Sequence, residues 1–142
     1  MSKMIQAKWW AVALAVSMMV LAGCSSATQY TMQAGDRSAG AEGTITLEED
    51  DNENYQVTLE MAHAPRPDQL DESKSVYTVW LMPHDTNEVY NMGRIRLDDD
   101  RSGTLKFTSP FPGFDLKVSA EEDGLQVSPS DQVVVAGNAR IA

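Results

Sequence analysis

From Thr44 onward, apolar and polar residues alternate one by one. Ile45 and Leu47 stand between polar neighbours, and Tyr55, Val57, Leu59 and Met61 interleave with Gln56, Thr58 and Glu60. Successive side chains of a strand point to opposite faces, so a period of two marks a half-buried strand. A helix packed on a core would repeat every three to four residues instead. Val89–Leu97 alternates as well, with Ile95 and Leu97 inward and Arg94 and Arg96 outward. Leu105 and Phe107 do so against Lys106, and Phe114, Leu116 and Val118 against Asp115, Lys117 and Ser119. The run Ser75–Met82 is apolar on both faces. It predicts a central strand with Trp80 as the main core anchor. A last strand is expected over Gln132–Ala136, and a short one over Gln29–Gln33.

Residues 63–74, with two prolines, read as a loop, and residues 98–103, 109–113 and 121–124 read as turns. About seven short strands and no helical period predict an all-β fold. We expect an antiparallel β-sandwich of immunoglobulin-like type. A small barrel is the alternative, because patterning does not separate a closed sheet from two packed ones.

The first 23 residues follow another rule. They hold Lys3, Lys8 and no acid, and Trp9–Ala22 carries no charge. Fourteen residues make a helix of roughly 21 Å, short of the ~30 Å hydrocarbon core. A basic start, a short apolar run and small residues after it describe a cleaved secretory signal peptide. The segment ends Leu21-Ala22-Gly23-Cys24, which resembles a bacterial lipobox. The resemblance implies a diacylglycerol thioether on Cys24, cleavage before it, and acylation of the new amino terminus by a chain such as palmitate. Ser25 follows rather than Asp, which resembles the pattern sent to the outer membrane. Acyl chains at ~0.8 kcal/mol per CH₂ anchor a domain without a transmembrane helix. The expected division is a signal peptide over 1–23, a lipidated flexible tether over 24–43, and the β-domain over 44–142.

Processing would leave 119 residues with 21 acidic and nine basic side chains, a net charge of −12. That balance excludes a general nucleic-acid binder, which needs clustered Lys and Arg. The only cysteine is Cys24, so no disulfide and no CxxC zinc or redox site forms within the chain. The acidic runs 48–53, 98–100 and 121–123 read as solvated hairpin tips that repel anionic lipid.

Chemistry is sparse. Met61-Ala-His63 and Met82-Pro-His84, with Met92 downstream, form Met-x-His pairs that suit copper, since residues two apart on a strand share a face. The same methionines also continue core faces, and consecutive antiparallel strands would put the two pairs at opposite poles. Asp98-x-Asp100-x-Ser102-Gly103 matches the first half of a calcium loop but has Ser109 where the bidentate Glu belongs. Asp50, Asn52 and Asn54 are similarly spaced without the glycine. No nucleophile elbow, HExxH or phosphate loop is present, and we expect no enzyme.

Tyr77, Trp80, Leu81 and Pro83 in one strand, Gly103 in a hairpin, and Phe114, Asp115, Leu116, Val118, Ala120 and Glu121 in another make residues 75–121 similar to the extracytoplasmic β-domain of anti-sigma-K-type regulators. The resemblance implies the fold rather than an activity, and sigma-factor binding is not carried over. The expectation is a lipid-anchored envelope protein of the outer membrane, facing the periplasm or the surface. Its β-domain would be a non-enzymatic binding or structural module, contacting the membrane through its anchor and an envelope protein partner. The alternative is a periplasmic copper carrier using Met61, His63, Met82, His84 and Met92.

Overall fold

The computed structural model describes residues 27–141. The expected signal peptide, residues 1–23, and Cys24 therefore lie outside the described residues. Eight strands follow: β1 (Thr28–Ala34), β2 (Glu42–Glu49), β3 (Tyr55–Ala62), β4 (Val76–Pro83), β5 (Tyr90–Ile95), β6 (Gly103–Ser109), β7 (Gly113–Glu121) and β8 (Val133–Arg140). One helical turn, α1 (Pro67–Leu70), interrupts the loop between β3 and β4. All pairings are antiparallel, and the order across the sheet is β5-β4-β7-β8-β1-β2-β3-β6. The all-β, sandwich-like fold expected from the alternation is present, with eight strands rather than seven.

The layers are continuous through β1. Its first part, Thr28 to Met32, pairs with β2, and its end, Gln33 and Ala34, pairs with β8. The outer strands β5 and β6 approach each other where Gly103 lies against Arg96 (a Cβ there would sit 2.4 Å from the Arg96 carbonyl oxygen). The sheet is thus folded on itself and nearly barrel-like. Inside it, Ile45, Leu47, Val57, Leu59 and Met61 from one half meet Tyr77, Val79, Leu81, Phe114, Leu116 and Val118 from the other. Each such side chain contributes about 1.5–3 kcal/mol by leaving water.

The tether expected over 24–43 is corrected by this topology. The folded unit begins at Thr28, and Met32, Ser38 and Ala41 are buried. Few apolar side chains announce β1, because backbone pairing on both edges fixes it. At its end Gly35 donates to the Val134 carbonyl at 2.9 Å, and a Cβ on Gly35 would sit 2.0 Å from the Val133 carbonyl oxygen. Gly35→Ala is therefore expected to cost about 2 kcal/mol or more in urea unfolding. A loss below about 0.5 kcal/mol, the usual range for surface sites, would contradict this junction.

The antiparallel order defines two poles. One carries Thr28, the β2–β3 hairpin, the β4–β5 and β6–β7 connections and the end of β8. The other carries the β1–β2 loop, α1 and its flanks, the β5–β6 turn and residues 122–132. An eight-residue strand separates the poles by about 26 Å.

Trp80 is fully buried, but outside the main core. Tyr77, Val79 and Leu81 take the inner face of β4, so Thr78, Trp80 and Met82 point outward. The stretch Glu122–Gln132 covers Thr78 and Trp80 as a strap. Asn91 on β5 donates to the carbonyls of Gly124 (3.1 Å) and Gln126 (3.0 Å). Ser130 on the same stretch donates to the Ala120 carbonyl of β7 (2.7 Å). Since β4 lies between β5 and β7, a segment tied to both must cross β4. Beneath it the Trp80 indole N–H donates to Ser119 Oγ (2.8 Å), Ser119 donates to Glu121, and the Ser130 amide also donates to Glu121 (2.9 Å). Glu121 is thus buried and not part of a solvated tip. Thr78 Oγ1 is buried there without a partner.

Candidate functional site

Two concavities differ in charge. A cleft of about 660 Å³ lies at the pole of α1, between the β3–β4 loop and β5. That volume suits a small ligand. Its cations are Arg66, Lys74, Arg94 and Arg96, and Val76, Ile95 and Leu97 supply apolar surface. The second, about 680 Å³, lies on the outer face of β1, β8 and β7, where Asp115 and Lys117 give one charge of each sign.

The first cleft has a locally braced wall. Pro67 sits in the first turn of α1, where its missing N–H costs nothing. Gln69 donates to the Arg66 carbonyl (2.9 Å), and its side-chain oxygen accepts from the Arg66 amide (2.8 Å). Leu70 anchors the turn in the core. The Tyr77 hydroxyl donates to the Pro65 carbonyl (2.6 Å), tying the loop to β4, and burial pushes the Tyr77 phenol well above its ordinary pKa. Asp71 closes the turn by accepting from the Ser73 amide (3.0 Å) and hydroxyl (2.8 Å), which hold its carboxyl below the usual range.

The opposite wall follows from strand alternation. Ile95 is buried while Arg94 and Arg96 are exposed. Arg94 runs along the strap at Gly124, where a Cβ would lie 3.0 Å from its Cδ. Arg66 pairs with Asp68 at 3.6 Å in solvent, a contact of small energetic weight. Lys74, Arg94 and Arg96 have no carboxylate within ion-pair distance among the described residues.

The residues expected to bind copper are not brought together. Met61 and His63 end β3 at one pole, whereas Met82 and His84 end β4 at the other. Met61 lies in the core, and His63 is exposed with φ at 53°. Met82 is outward, and His84 Nε2 lies 3.1 Å from Asp115 Oδ1. Met92 is the extra residue of a bulge where β5 meets Val79 and Trp80. The two pairs thus lie at opposite poles, where antiparallel strands put them, and do not converge on one site.

The two calcium-like loops hold their carboxylates locally. Asp50 accepts from the Asn52 and Asn54 amides (2.8 and 3.0 Å), and Asp98 from the Ser102 amide (3.0 Å). Hydrogen bonding between the two carboxyl groups holds Asp98 below the ordinary range and pushes Asp100 above it. Among the described residues, no three His, Cys, Asp or Glu side chains group to hold a metal ion. No described helix is long and apolar enough to cross a membrane. Cys24, the residue expected to be lipidated, lies outside the described residues.

Sequence reasoning did not single out the cleft. Arg94 and Arg96 were legible as the outer face of a strand, but their partners Arg66 and Lys74 are 20 or more residues away along the chain. No local pattern joins them.

No protein-family model and no curated protein matches the chain. Among solved structures, one described as "Crystal Structure Analysis of the clock protein EA4" is similar at a TM-score of 0.49 and 10% identity, covering 84% of this chain and 98% of that one.

Proposed function

We propose that this is a lipid-anchored protein of the outer membrane whose β-domain is a non-enzymatic binding module, with the cleft between α1 and β5 as its binding site. The observation that carries the reading is the position of that cleft. It gathers four of the nine basic residues that follow Cys24, at the pole opposite Thr28. A chain anchored at Cys24 would enter the domain at the Thr28 pole and leave the cleft facing away from the bilayer. The similarity of residues 75–121 to extracytoplasmic β-domains supports the envelope location.

The test is photocrosslinking in cells. A benzoylphenylalanine at Glu72, which lines the cleft, is expected to give a specific adduct. The same group at Glu48, on the β2–β3 hairpin at the other pole, is expected to give none. Equal yields from both positions, or none from Glu72, would contradict the reading.

A further inference from the structure

Resting on that reading of the cleft, we propose that its ligand is a small oxyanion, a carboxylate or a phosphate, carried on an apolar body. The chain as a whole repels anions: it has 21 acidic and 11 basic residues. An anionic ligand therefore needs a place where the local field reverses. The cleft is such a place, since Arg66, Lys74, Arg94 and Arg96 face only Asp68 and Glu72 among its lining acids. One of those acids, Asp68, is already spent on Arg66.

Geometry adds to charge. Arg94 and Arg96 project from the same face of one strand edge, about 7 Å apart along it. Guanidinium groups there offer planar donor pairs matched to carboxylate and phosphate oxygens. Lys74 also lines the cleft, as a third donor. Val76 and Leu97, half-buried, line the same cleft and would shed water against an apolar body but not against a bare ion. Arg94 is held along the strap at Gly124, so part of its entropy is already lost before a ligand arrives.

The test uses the lipidated full chain in phosphatidylcholine nanodiscs, with empty nanodiscs as blank, and calorimetric titration of three probes sharing one ring system. These are 1-naphthyl phosphate, 1-naphthoate and the neutral 1-naphthol. At least one anion is expected to bind one per chain, and which of the two binds more tightly identifies the oxyanion. The neutral probe is expected to match the blank. Arg94→Gln with Arg96→Gln should weaken anion binding about tenfold or more, the loss of charge-assisted contacts. Lys74→Gln, a single substitution outside the strap and outside β5, should weaken it in the same direction and guards against misfolding of the double variant.

Anion binding unchanged in these variants, tight binding of 1-naphthol, or no anion binding would each overturn the proposal. If the Glu72 crosslink persists in that event, the cleft remains the binding site and only the ligand class falls. A Glu72 adduct that proves to be a protein would overturn the small-ligand proposal in favour of an acidic partner surface.

Discussion

Trp80→Ala is expected to lower the unfolding free energy by about 3–5 kcal/mol, the range for large aromatic truncations at buried sites. The side chain is fully buried between β4 and the strap rather than in the barrel interior. Its removal leaves a void that the strap can fill only by abandoning the Asn91 and Ser130 ties. It also takes the indole donor from Ser119, which itself supports the buried Glu121 carboxyl. Trp80→Phe keeps most of the ring and loses the donor, so a smaller cost of about 1–2 kcal/mol is expected. Urea unfolding followed by circular dichroism ranks the two variants. A loss under about 0.5 kcal/mol for Trp80→Ala would contradict the buried layer, because surface substitutions fall in that range. Trp80 is also the only tryptophan after Cys24, so emission from a chain cleaved before Cys24 would report the strap directly.

How much of this was legible depends on which force fixes each element. Alternation exposed the strands that bury one face, such as Tyr55–Met61 and Phe114–Val118, because a half-buried strand writes its period into the sequence. Ser75–Met82 was legible as covered on both faces. What covers the outer face was not, since residues 122–132 are mostly polar and are held by backbone carbonyls and serine hydroxyls rather than by an apolar stripe. Trp80, expected as the main core anchor, is fully buried, but on the outer face of β4 beneath that stretch. The strand β1 was legible as the short stretch Gln29–Gln33 but not as part of the folded domain: its neighbours on both edges supply its hydrogen bonds, and only Met32 of its residues is buried. The acidic runs split as well. The Glu48–Glu53 hairpin lies at the Thr28 pole, whereas Asp98–Asp100 lies at the cleft pole. The cleft needs Arg66 and Arg94 in one place, which only the tertiary pairing provides.

Cys24→Ser is expected to abolish acylation. The thiol is the only group of its kind in the chain, and no other side chain could carry the thioether. The consequence for the domain is tighter than a long tether would give. Only Ser25, Ser26 and Ala27 separate Cys24 from the first strand. The four peptide steps reach about 14 Å at full extension. The Thr28 pole would then sit close to the headgroups, where the acidic β2–β3 hairpin opposes insertion. The cleft would lie about 26 Å further out, one strand length away.

Metabolic labelling with palmitate tests the anchoring most directly. The account predicts label on the wild-type chain and none on Cys24→Ser, with the unlabelled variant still folded by circular dichroism. Label persisting on Cys24→Ser, or absent from the wild type, would contradict it.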